Sequence, residues 1–129
     1  MGAGIQIREA HFPGRAPIDA YGNGGFRFAD MSHRGSLLCL PSGIHGWDAV
    51  SAGELTPAHF AKVMTDAADI GILLIGTGAD MLRLPKQLRE TLSEAGIAAD
   101  SMSTGAAVRT YNVLLAEDRA VAAALIAVE

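Results

Sequence analysis

The chain of 129 residues has the length of one compact domain, and half of it is apolar while 19% is charged, a balance too apolar for disorder. Its 23 Ala and 15 Gly leave 38 positions with a methyl side chain or none, yet the glycines show no three-residue period, which excludes collagen. One cysteine excludes a disulfide framework, no Cys/His cluster has zinc spacing, and a net charge of -4 argues against a nucleic-acid binder held by phosphate contacts.

In chain order, the first 28 residues contain no apolar stretch of secretory type. The apolar runs at 70–75 and 120–128 fall short of the ~20 residues that cross a bilayer. The expectation is therefore a cytoplasmic protein that is not integral to a membrane and needs no metal or cofactor. Ile5-Gln6-Ile7 alternates as a strand does. Ile18–Tyr21 and Phe26–Phe28 flank Gly22-Asn23-Gly24-Gly25, whose residues accept the positive φ of a hairpin turn. Ser36–Leu40 is an apolar run closed by Pro41, the pattern of a strand buried on both faces.

Strand and helix then alternate. Thr56 is an N-cap with Pro57 in the first turn, and Phe60, Val63, Met64 and Ala67 share one helical face. The run from Ile70 to Ile75 reads as a buried strand. Pro85 opens a helix with Leu88, Leu92 and Ala95 on one face and Gly96 as its stop. Ile97–Met102 is a weaker strand, and Ser103-Thr104 caps a helix carrying Ala107, Val108, Tyr111, Leu114 and Leu115. The alanines of Ala120–Val128 favour a helix by propensity. Nine apolar residues without a polar face fit a central strand better. The pattern predicts an α/β domain over residues 1–129, with parallel crossovers and an extra ribbon formed by the β-rich start.

Two strand-to-helix junctions could carry chemistry. Gly76-Thr77-Gly78 could cradle a phosphate with backbone N–H groups, or could simply turn the chain, since the third glycine of a dinucleotide fingerprint is missing. Ser103-Thr104-Gly105 is an N-cap that could also line a cleft at the carboxyl ends of the strands, with Pro41–Trp47 beside it. Arg109 would then address an anion, or stand in solvent. Cys39, among Leu37, Leu38 and Leu40, reads as a buried inert thiol rather than a nucleophile. The four histidines are scattered, and no Ser elbow or acid/base carboxylate pair stands out.

Several of these stretches resemble one family. Tyr21-Gly22-Asn23-Gly24-Gly25-Phe26, Leu74-Ile75-Gly76-Thr77-Gly78 and above all Thr104-x-x-Ala107-x-Arg109-Thr110-Tyr111-Asn112, with Glu117, Arg119 and Val121–Ala123, resemble the family containing mitochondrial complex I assembly factor 3 and small bacterial and archaeal proteins of unknown function. The resemblance covers roughly residues 18 to 126. It implies a three-layer α/β domain whose mixed sheet has mostly parallel strands and a last strand antiparallel to its neighbours. It also implies a protein-binding role, with a respiratory complex subunit as the kind of partner, and no established chemistry. Against the eukaryotic members, the expectation is of a chain without their presequence and so of a role outside mitochondria. Asp118 stands where the family commonly has Gly, a change that a turn tolerates. Within the motifs, Gly76, Thr77, Gly78, Thr104, Arg109 and Asn112 are the candidates for a site binding a small molecule or anion, the alternative to an assembly module.

Overall fold

The computed structural model describes residues 11–129, so the strand expected at Ile5–Ile7 lies outside the described residues. Strands β1 (His11–Phe12), β5 (Ser36–Leu40), β6 (Gly43–Trp47), β7 (Ile72–Gly76), β8 (Ala98–Met102) and β9 (Val121–Leu125) form one sheet in the order β1-β6-β5-β9-β7-β8. Strands β2 (Ala20–Gly22), β3 (Gly25–Phe28) and β4 (Met31–Arg34) form a second, antiparallel sheet. The helices are α1 (Ala61–Thr65), α2 (Lys86–Glu94) and α3 (Thr104–Ala116).

The Ala-rich tail is a strand, and it occupies the middle of the large sheet with all five residues buried. It runs antiparallel to β5 but parallel to β7, which corrects the expectation that it opposes both neighbours. The cause is the order of elements. Strand β9 follows β8 through the helical crossover α3, the kind of connection that returns the chain in the same direction and makes β9 parallel to β7 and β8. The β5–β6 hairpin has to be antiparallel, because a turn of two residues cannot reverse into a parallel pair. Thus β6, β7, β8 and β9 point the same way, although parallel pairing is confined to β7 with β8 and β9.

Period-two alternation splits the core between the two faces. Leu38, Leu40, Leu73, Ile75, Ala122 and Ala124 face one layer, made of α1, α2 and the 3-10 turns before them. Leu37, Cys39, Leu74, Val121, Ala123 and Leu125 face α3 and the small sheet, meeting Tyr111, Phe26 and Phe28. These are the three layers. In register, Ala123 lies between Cys39 and Leu74. Its small side chain fits the close approach of α3, which brings Tyr111 to 1% exposure.

Local signals fixed several ends. Asn23 and Gly24 both have positive φ, 53° and 80°, as a two-residue hairpin requires. Gly96, at φ 80°, closes α2 by donating to the Ser93 carbonyl while Ile97 N–H donates to Leu92, and the buried Leu92 and Ile97 share one core. Asp118 ends α3 the same way at φ 59°, with Asp118 N–H to Leu115 and Arg119 N–H to Leu114. The helix expected from Thr56 is shorter than its apolar face suggests. It is a 3-10 turn (Pro57–Phe60), the single turn of α1 and a second 3-10 turn (Ala67–Asp69). Phe60 and Val63 still reach the core, so packing keeps the apolar spacing while the backbone winding tightens.

Candidate functional site

The strand-to-helix junctions at the ends of β7 and β8 do come together, and their polar groups are spent on one another. Thr104, which is fully buried, donates its hydroxyl to the Ile126 carbonyl at 2.7 Å and accepts from Gly78 N–H at 3.0 Å. Thr104 N–H in turn donates to the Gly78 carbonyl at 2.8 Å, and Ile126 N–H donates to Gly76 at 3.0 Å. The Thr77 hydroxyl donates to the Asp80 carbonyl at 2.7 Å, with the Met102 carbonyl also within 3.1 Å, and accepts from Leu82 N–H at 3.0 Å. A methyl group on Gly76 would stand 2.9 Å from Thr104 Cα and 3.1 Å from Leu125. These contacts bind β7, β9 and the start of α3 into a clasp.

The other two candidates lie farther along α3. Asn112 reads as a backbone substitute: its Oδ1 accepts from Ile18 N–H and its Nδ2 donates to the Ile18 carbonyl, both at 2.9 Å. Tyr111 donates to the Ala16 carbonyl at 3.3 Å, so neighbouring motif residues stitch the segment before β2 onto the helix. Arg109 is exposed. Its Nη1 lies near Gly105, against which the Tyr21 hydroxyl also rests. Cys39 is buried beside the Tyr111 hydroxyl, and burial pushes its thiol up to about 12. Desolvation likewise raises the Tyr111 hydroxyl. A thiol held protonated in this way is a poor nucleophile, as its apolar neighbours implied.

An open space lies elsewhere along the same edge of the sheet. A cleft of about 440 Å³ sits at the end of β6, lined by His33, Arg34, Trp47, Asp48, His59 and Lys62. Of the segment Pro41–Trp47 expected beside the junctions, the Trp47 end reaches this edge. Pro41 and Ser42 form the β5–β6 turn at the opposite end, because β6 runs back along β5. The Trp47 indole N–H donates to the His59 carbonyl at 2.8 Å, and its ring meets Phe60 edge-on at 5.5 Å. Thr56 N–H donates to His59 Nδ1 at 3.0 Å, which fixes that ring at the start of the 3-10 turn. His33 is 4% exposed, and its Nε2 meets the Ser36 carbonyl at 3.0 Å, which requires the proton on Nε2. Its Nδ1 has no hydrogen-bond partner among the described residues. Composition and spacing did not bring these polar residues together, since they come from β4, the end of β6 and the residue after it, the turn before α1 and α1 itself.

Comparison with known proteins follows the same boundaries. Residues 18–126 match the family model described as Protein of unknown function (DUF498/DUF598). The chain is 42% identical to an uncharacterized protein of Rhodobacter capsulatus, over 92% of this chain and 90% of that one. It is 30% identical to the NADH dehydrogenase (ubiquinone) 1 alpha subcomplex assembly factor 3 of Mus musculus, over 95% of this chain but only 66% of the mouse protein. Among solved structures, a Bartonella henselae protein called an outer membrane protein is 64% identical, with a TM-score of 0.88, over 92% of this chain and 99% of that one. Among the described residues of this chain, no helix is long and apolar enough to cross a membrane.

Proposed function

Since the chain belongs to the DUF498/DUF598 family, which also takes in a respiratory assembly factor, we propose that it is a non-enzymatic protein-interaction module assisting assembly of a membrane-bound respiratory complex. The observation that carries this reading is the 30% identity to the mouse NADH dehydrogenase assembly factor across 95% of the chain. The match leaves about a third of the mouse protein unaccounted for, so the partner is proposed by class: a subunit of the respiratory NADH dehydrogenase. We place its action in the cytoplasm, a reducing compartment that suits the single free thiol of Cys39.

A ligand site at Gly76, Thr77, Gly78, Thr104, Arg109 and Asn112 is the competing reading. What favours the interaction module is that the hydroxyls of Thr77 and Thr104 and the amide of Asn112 bond the chain's own backbone. A residue so committed is a poor receptor for a ligand, because displacing its partner would leave a buried group unpaired. The test is crosslinking and pulldown of the tagged protein from its native cells, beside a deletion strain. The reading expects reproducible recovery of NADH dehydrogenase subunits and a drop in assembled complex that the wild-type gene restores. Recovery of no respiratory subunit, with normal complex levels in the deletion strain, would overturn it.

A further inference from the structure

We propose that the cleft at the end of β6 binds a small hydroxylated organic anion. Its volume of about 440 Å³ falls within the range of small-molecule pockets. Two cationic side chains, Arg34 and Lys62, reach it from separate elements, against one carboxylate, Asp48. None of these three makes an ion pair or side-chain hydrogen bond among the described residues. An anion between Arg34 and Lys62 would supply the charge that both lack, and Arg offers a planar fork suited to carboxylate or phosphate.

The hydroxyl follows from a second observation. Asp48, the one carboxylate on the cleft, is exposed and accepts no hydrogen bond among the described residues. A ligand bearing an anionic group alone would offer nothing to that carboxylate, whereas a hydroxylated one donates to it while its anionic group meets the cations. Trp47 and Leu38 give its carbon skeleton an apolar wall. This site shares no residue with the strand-end clasp and does not depend on the assembly role, so either can fail alone.

The test is an NMR titration of the isotopically labelled protein with malate and with glycerol 3-phosphate, each beside its deoxygenated counterpart, succinate or propyl phosphate. The expected result is saturable shifts of the Trp47 indole N–H and of amides near residues 46–48 and 59–62. The hydroxylated member of at least one pair should bind about threefold or more tighter than its counterpart, the effect of a hydrogen bond to the Asp48 carboxylate. The double variant Arg34→Gln, Lys62→Gln should weaken binding by about tenfold or more. Both side chains are exposed, so the fold should tolerate the change. The proposal is overturned if neither hydroxylated acid gives saturable shifts, if both pairs show no preference, or if the double variant responds like the wild type.

Discussion

The ends of β7, β8 and β9 and the end of β6 lie along one edge of one sheet, yet they treat polar groups in opposite ways. At the first, Thr104 gives both hydrogen-bonding capacities to the backbone, to Gly78 N–H and the Ile126 carbonyl. At the second, the exposed side chains of Arg34, Asp48 and Lys62 stand around an open volume without a partner among the described residues. The difference separates parts that hold the fold from parts left available to something else. A polar motif at a strand end is therefore a poor guide to function until its partners are known, since a hydroxyl satisfied internally and one offered to a ligand look alike in sequence.

Substitution should expose that contrast. Thr104→Val keeps the shape but leaves the buried Ile126 carbonyl and the part-buried Gly78 N–H unpaired, and should lower the unfolding free energy by about 2–3 kcal/mol in urea titration. Thr104→Ser keeps the hydroxyl and should cost only about 1 kcal/mol, for the lost methyl. If the Val variant were as stable as the Ser variant, the clasp would carry no weight. Gly76→Ala should cost about 2 kcal/mol, because the new methyl meets the Thr104 backbone as well as its movable hydroxyl. Little change there would mean that α3 can shift away from β7. At the cleft the contrast reverses: Arg34→Gln with Lys62→Gln should alter stability by no more than about 0.5 kcal/mol. A larger loss would move those cations from the available class into the structural one.

Much of the fold was legible because its signals are local. The Thr56-Pro57 start, the Gly96 stop and the Asn23-Gly24 turn each act within a few residues, and each is found in place. Strand β9 was readable against alanine propensity, since a segment with no polar face must be buried on every side. Strands β4 and β6 were missed for a different reason. The β3–β4 turn is built on Ala29 and Asp30 at φ 47° and 63°, without the glycine that marks such turns, and β6 carries Gly43 and Gly46 in place of an apolar alternation. The site was less legible still. Thr104 meets Gly78 and Ile126 only after two crossovers, so its hydroxyl could equally have been read as free. The cleft draws on residues 33–34, 46–48 and 58–62, which topology alone brings together.

Hydrogen exchange at the Gly78 amide, followed in the folded protein and in Thr104→Val, tests the closed clasp most directly. The bond from Gly78 N–H to the buried Thr104 hydroxyl predicts slow exchange in the wild type, near the rate set by global unfolding. In the Val variant this amide should exchange far faster than the β7 amides beside it. Gly78 exchanging as fast as an exposed loop in both proteins would mean that the junction opens freely, and would contradict the account.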